Sequence, residues 1–294
     1  MMTSNASAVP ATALGAPLHI GAVGLIVRDL DRLTAFYSDL LGLTVQRRTP
    51  QTVALGVDGV PLLELTHRPD ALPDDPREAG LYHTAFLMPT RADLGRWLLH
   101  AGQRLVPLSG ASDHGVSEAI YLDDPEGNGI EVYADRPPET WGRDGTSILQ
   151  RTDPLDIDSL LRAIGPGAAS YDGAPSGLRV GHVHLRVGDV TGAEAFYRQV
   201  LGLDVTAQRT GALFMSTGGY HHHVATNAWH SRGAGPRNSD RAGLDWVALE
   251  AKEPAAVEAL KARFAAAGMP ITPFPGGFAV NDPWGTQIRL AAAA

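Results

Sequence analysis

One stretch of this chain is written twice. Residues 29–45 read DLDRLTAFYSDLLGLTV and residues 189–205 read DVTGAEAFYRQVLGLDV, 160 positions apart. A repeat at that distance means one structural plan is built more than once, which removes most architectures from consideration. Both copies open on an Asp, Asp29 and Asp189, whose carboxylate can accept from the unpaired amides of a helix's first turn. Phe36, Tyr37, Leu40 and Leu41 then fall at helical spacing, and Gly42 and Gly202 stand where a helix end favours a left-handed residue.

Each half divides again. Apolar strands precede both helices, at 21–27 and 181–187, and a second strand-then-helix opening recurs at 82–88 with 92–100 and at 245–251 with 254–267. Short β-rich segments with Gly and Pro turns follow each helix. The expected fold class is therefore α+β, four βαβββ modules in two similar halves, at about 18–67, 80–135, 178–229 and 242–291. The domain reading is 18–136 for the first half and 178–294 for the second. A linker rich in Pro, Gly and Asp runs over 137–177, with one short helix candidate at 157–164, and residues 1–17 are expected to be a disordered tail.

Composition narrows the function. With 44% hydrophobic and 19% charged residues the chain can bury a sizeable core. The net charge of −8 and pI near 5.7 argue against nucleic acid as a partner. The absence of cysteine excludes disulfides, zinc fingers, iron–sulfur clusters and thiol catalysis, and fits a reducing compartment. No apolar run is long enough to span a membrane. A cytoplasmic protein with no membrane partner is expected.

One dense segment carries chemistry. From His114 the chain reads HGVSEAIYLDDPEGNGIE to Glu131. Asp124-Pro125-Glu126-Gly127 is a β-turn sequence, so Tyr121 and Glu131 should lie on adjacent antiparallel strands. Glu131 stands in an otherwise apolar strand, where a buried carboxylate needs a cation or hydrogen-bond donors. His83 stands in the first strand of the same module, on one face with Ala85 and Leu87. His182 and His184 share a face of the strand that opens the second half, and 218–223 reads GGYHHH.

The four-module plan and the His114–Glu131 segment resemble the vicinal oxygen chelate superfamily, the glyoxalase-like fold, and within it the type I extradiol ring-cleavage dioxygenases. Ser112 departs from that motif. In the superfamily the metal ligand on a module's first strand lies seven positions before the Asp that opens the helix. That selects His182 over His184, and gives Ala22 in the first module. The resemblance thus implies His83, Glu131 and His182 as metal ligands. Two imidazoles and one carboxylate form the facial triad of non-haem Fe(II) oxygenases, which leaves positions open for substrate and O₂. Module four offers Asp245 and Arg289 at the corresponding places, so the iron is expected between modules two and three. The GGYHHH run resembles the Bacillus-type catechol 2,3-dioxygenases.

His222, in His-His-Val-Ala, matches the register of the family's acid–base histidine. On a strand it would point opposite to His221 and His223. His114 and Tyr121 are implied to hydrogen-bond the bound diol. The implied activity is Fe(II)-dependent insertion of O₂ beside the diol of a catechol-type ring, as in aromatic catabolism. The implied partners are a small aromatic diol and O₂, with a homo-oligomer left open. His184, His221 and His223 stay open between metal, substrate and packing roles. Trp229 and Asn227 either line the cavity or pack, and His19, His67, His100 and His230 read as surface or loop residues. Two rival readings remain: a glyoxalase-like lyase or isomerase using Zn²⁺ or Ni²⁺, and a non-catalytic drug-binding resistance protein.

Overall fold

In the computed structural model, which describes residues 12–165 and 170–293, the four repeats of βαβββ form where the sequence pattern places them. The first comprises β1 (Leu18–Val27), α1 (Leu30–Leu41), β2 (Thr44–Arg48), β3 (Thr52–Val57) and β4 (Val60–His67). The second comprises β5 (Gly80–Leu87), α2 (Arg91–Gln103), β6 (Gly110–Asp113), β7 (Ser117–Asp123) and β8 (Gly129–Asp135). A connecting segment carries β9 (Arg143–Asp144), β10 (Ser147–Ile148) and α3 (Ile157–Arg162), the last at the helix expected over 157–164. The third module is β11 (Arg179–Arg186), α4 (Val190–Glu194), β12 (Asp204–Arg209), β13 (Ala212–Ser216) and β14 (Val224–Asn227). The fourth is β15 (Gly243–Ala251), α5 (Pro254–Ala266), β16 (Thr272–Phe274), β17 (Gly277–Asn281) and β18 (Gln287–Ala292).

The repeated Asp residues cap as their position predicts. Asp29 accepts from the Arg32 amide at 3.0 Å and Asp189 from the Gly192 amide at 2.7 Å. Gly42 ends α1 at φ 69°, the left-handed conformation that a Cβ disfavours. Beyond Glu194 the helix of the third module widens, and the Leu201 amide donates to the Phe196 carbonyl five residues back.

The strands assemble into two eight-stranded sheets, and each sheet draws on both halves of the sequence. One runs β16-β17-β18-β15-β1-β4-β3-β2, joining modules four and one. The other runs β12-β13-β14-β11-β5-β8-β7-β6, joining modules three and two. The 18–136 and 178–294 halves each give one module to each sheet. Of the 1–17 tail, residues 1–11 lie outside the described residues, whereas 12–17 make a turn in which Ala13 and Ala16 are buried. Among the described residues no helix is long and apolar enough to cross a membrane.

The two most conspicuous repeated motifs turn out to be two ends of one latch. The Tyr37 hydroxyl of α1 donates to Asp124 Oδ2 at 2.9 Å, in the Asp-Pro-x-Gly turn between β7 and β8. Tyr197 does the same to Asp282 Oδ2, at 2.9 Å, in the equivalent turn between β17 and β18. In that second turn Asp282 Oδ1 also accepts the amides of Trp284 and Thr286, at 2.9 and 2.8 Å. Each latch ties the helix of one module to a turn of the other sheet, so the sheets are locked together twice. Burial pushes Asp282 up to about 6, against the donors that favour its charged form.

A raised carboxyl pKa costs stability as pH rises from the unfolded value near 3.8 through the folded value, because the folded state then holds the proton more tightly. Asp282→Asn removes that titration. The stability of the wild-type protein relative to D282N is therefore expected to be highest near pH 4 and to shrink by about 3 kcal/mol by pH 7. Denaturant unfolding of both proteins across this range checks the sign; an advantage that grows with pH would mean that the donors outweigh burial and hold the pKa below its ordinary value.

Candidate metal centre and substrate cavity

Strand pairing builds the site. β5 and β11 run antiparallel with His83 opposite His184 and Ala85 opposite His182, and β8 lies parallel to β5 with Glu131 beside Ala85. Cross-strand neighbours share a face, so His83, Glu131, His182 and His184 converge on one side of the sheet. Glu131 Oε2 lies 3.0 Å from His83 Nε2 and 3.2 Å from His182 Nε2. Among the described residues this is the one group of three metal-ligating side chains, their ligand atoms within 4.8 Å of one another. Two belong to module two and one to module three.

The donor set suits a divalent cation. Glu131 is 3% exposed; burial alone would raise its pKa, but the His182 and His83 imidazoles pull it well below the ordinary value. Burial takes His182 down to about 4 despite the neighbouring Glu131, leaving its imidazole neutral at neutral pH. His83 Nε2 is buried and makes no well-formed hydrogen bond, even with the carboxylate so close. A buried imidazole nitrogen without a well-formed hydrogen bond, beside a carboxylate, is poorly satisfied by the protein alone and well satisfied by a metal ion.

Tyr121 sits directly across the β7–β8 pair from Glu131. Its hydroxyl lies 2.8 Å from His114 Nε2, while His114 Nδ1 lies 2.7 Å from the Arg151 carbonyl. His114 must use Nδ1–H as the donor to that carbonyl, so Nε2 accepts from Tyr121. Burial, and then the Glu131 charge, hold the Tyr121 phenol well above its ordinary pKa, so it stays protonated.

The triple histidine differs from the strand placement expected of it. Gly218 and Gly219 take φ of 65° and 76°, two left-handed residues in succession, so the chain turns and His221–His223 precede β14. Side chains in a turn need not alternate, and all three imidazoles are buried on different partners. His222 borders the cavity with its ring centroid 4.1 Å from that of His182. His221 Nε2–H donates to Asp135 Oδ1 at 2.8 Å, which leaves His221 Nδ1 to accept from His222 Nδ1–H, also at 2.8 Å. His222 Nε2 is thereby the lone-pair nitrogen. Burial keeps this ring neutral, its pKa well below the ordinary value. His223 Nε2 donates to the Ala13 carbonyl at 2.9 Å, and His184 Nε2 accepts from Asn227 Nδ2 at 3.0 Å.

A cavity of about 510 Å³ opens beside the triad. Tyr82, Phe214 and Trp229 give it aromatic walls. Its outer wall comes from the connecting segment, which crosses the mouth of the curled sheet. Asp153 pairs with Asp113 of β6 through two backbone hydrogen bonds, and Thr152 Oγ1 accepts from Arg209 of β12 at 3.0 Å. Residues 147–153 therefore strap one edge strand to the other and carry Gln150 and Thr152 into the cavity lining.

Several participants escape a reading of the sequence. Asp135 was legible in principle, since it alternates with Glu131 and Tyr133 along β8. Gln150, Thr152 and Arg209 carry no such signal. His19 and His100 are buried rather than superficial: His19 faces Glu250 at 3.5 Å and His100 Nε2 lies 2.8 Å from the Asp39 carbonyl. In the other sheet the corresponding face holds no histidine cluster among the described residues. There the Arg289 guanidinium lies 4.0 Å from the centroid of the Trp246 ring.

A repeated βαβββ fold with a buried two-histidine, one-carboxylate convergence defines a class, and the sequence comparisons agree with it. The chain belongs to the Glyoxalase/Bleomycin resistance protein/Dioxygenase superfamily, whose profile matches residues 19–132 and 179–290. It is 38% identical to the catechol-2,3-dioxygenase of Bacillus subtilis over 277 residues, 92% of this chain and 96% of that one. It is also 32% identical to biphenyl-2,3-diol 1,2-dioxygenase 3 of Rhodococcus globerulus, over 38% of this chain and 60% of the relative. Among solved structures the fold resembles a putative dioxygenase from Bacillus subtilis (TM-score 0.63, 15% identity, 93% and 84% of the two chains). It also resembles glyoxalase I from Zea mays (TM-score 0.52, 16% identity, 95% and 94%).

The hydrogen-bond line from Asp135 through His221 predicts one tautomer. In ¹⁵N NMR of histidine-labelled, zinc-loaded protein, His222 is expected to carry its proton on Nδ1. Asp135→Asn, which no longer demands a donor from His221, should give a mixture. An Nε2-protonated His222 in the unaltered protein would contradict this line.

Proposed function

We propose that this protein is an Fe(II)-dependent extradiol dioxygenase that opens a catechol-type ring beside its diol, with His83, Glu131 and His182 as the metal ligands. The observation that carries the reading is the buried triad facing a cavity large enough for an aromatic ring, with His222 beside it and committed to no ligand role. The similarity to a catechol-2,3-dioxygenase along almost the whole chain supports it. A glyoxalase-like site would call for a fourth protein ligand. His184, an imidazole beside His83, has its Nε2 engaged by Asn227.

Fe(II) held by the triad would supply a centre at which diol and O₂ meet and electron density passes from ring to oxygen. The rest falls to the protein. His222 Nε2 takes the proton of a diol hydroxyl and returns it to the ring-opened product. The cation formed on His222 is shared with His221 and opposed by the Asp135 carboxylate. The protonated Tyr121 hydroxyl donates its hydrogen bond to His114 Nε2, so its oxygen faces the cavity as an acceptor for a ligand hydroxyl. Tyr82, Phe214 and Trp229 pack the ring and keep water from the reaction.

After anaerobic loading with Fe(II) and desalting, the unaltered protein is expected to retain iron and to consume O₂ in step with added catechol. His83→Ala and Glu131→Ala should lose both iron, read by elemental analysis, and turnover. His222→Phe should keep iron while kcat falls by roughly 10²- to 10⁴-fold, the usual contribution of a positioned acid–base group. Iron-loaded protein that consumes no O₂ with any catechol would overturn the reading.

A further inference from the structure

The cavity lining also carries three hydrogen-bond donors, Arg209, Gln150 and Thr152, with no carboxylate to match them. Arg209, at the end of β12, donates to Thr152 Oγ1 at 3.0 Å and to the Arg151 carbonyl at 3.3 Å. Among the described residues it has no carboxylate within ion-pair distance, unlike Arg91, Arg136, Arg186 and Arg241. Thr152 spends its oxygen lone pair on Arg209, which leaves its own O–H to give. Gln150 lies two residues earlier on the same strap and also lines the cavity. Its Nε2 is buried with no hydrogen-bond partner. A buried amide donor left unmatched costs stability, so its persistence here points to a ligand acceptor.

None of the three patch residues belongs to the triad. The Arg209 guanidinium carbon stands 5.9 Å from the Phe214 ring centroid, and Phe214 in turn lies 5.1 Å from His222, which abuts His182. Phe214 thus adjoins both the Arg209 guanidinium and His222. The two carboxylates on the cavity wall stand elsewhere. Glu131 is taken by the imidazoles, and Asp123 lies near Tyr82, whose pKa it raises after burial.

A planar guanidinium, an amide N–H and a hydroxyl together match a carboxylate better than any neutral group. Resting on the dioxygenase reading, we infer that the substrate is a catechol bearing a carboxylate substituent. Arg209, Gln150 and Thr152 are the specificity-determining residues that hold it. An unsubstituted ring would leave these donors unmatched, and such a site discriminates strongly against ligands lacking the acceptor.

The test is anaerobic titration calorimetry on the Fe(II)-loaded full chain with 3,4-dihydroxyphenylacetate and with its methyl ester, which has the same diol and no charge. The acid is expected to bind about tenfold or more tightly than the ester, the scale of one charge-assisted hydrogen bond. Arg209→Met and Gln150→Leu should each bring that ratio towards unity. Arg209→Lys, which keeps the charge but not the fork, should retain part of it and serves as well should Arg209→Met fail to fold. An ester that binds as tightly as the acid, or a ratio that Arg209→Met, Arg209→Lys and Gln150→Leu leave unchanged, overturns the inference. O₂ uptake measured alongside separates the two claims. Acid preference without O₂ uptake leaves the subsite standing and removes the dioxygenase. O₂ uptake without acid preference does the reverse.

Discussion

The antiparallel pairing of β5 with β11 is the constraint on which the site depends. It is a backbone ladder between strands almost a hundred residues apart, and it alone sets Ala85 opposite His182 and His83 opposite His184. A slip of one residue would turn the β11 side chains to the other face and take His182 away from Glu131. The strand on the far side of β5 is β8, joined in parallel, so the carboxylate arrives from a third direction. None of the three ligand-type residues sits on a loop. A site carried on three central strands is held as rigidly as the sheet itself, which suits a centre whose ligand atoms must stay within a few ångströms of one another.

How much of this was legible in the sequence depends on the range of the interaction. The four modules were readable because helix caps, strand periodicity and turns are local, and the repeat displayed each twice. The His83, Glu131 and His182 set was reachable only through the resemblance, since spacing along the chain does not say which strands pair. The latch between Tyr37 and Asp124, and between Tyr197 and Asp282, shows the same limit from another side. Both motifs are plain in the sequence, yet nothing local says that they touch. The triple histidine was expected on a strand, but left-handed Gly218 and Gly219 turn the chain and the strand begins only at Val224. Gln150 and Thr152 were hidden most thoroughly, in a segment whose composition marks only a connection between modules.

That segment changes the character of the cavity. A curled eight-stranded sheet leaves two edge strands, β6 and β12, with unpaired backbone groups. The strap pairs with one edge and hydrogen-bonds side chains of the other, so it closes the mouth and covers an aggregation-prone edge together. Through the Arg151 carbonyl it also orients His114, and through His114 the Tyr121 hydroxyl. Substrate contact, edge protection and the alignment of a catalytic hydroxyl are thus joined in seven residues, 147–153.

The nesting of the two sheets bears on the order in which the protein can be made. β5, β8 and β11 belong to a sheet complete once β14 has emerged, whereas β1 waits for β15 near the other end of the chain. On the ribosome the sheet of modules two and three, with all three ligand-type residues, can close while the fourth module is still unsynthesised. The sheet of modules one and four is completed afterwards, when β15 pairs with β1, its first-made strand. A nascent chain would thus have its metal-binding residues assembled before either terminus of the fold is secured.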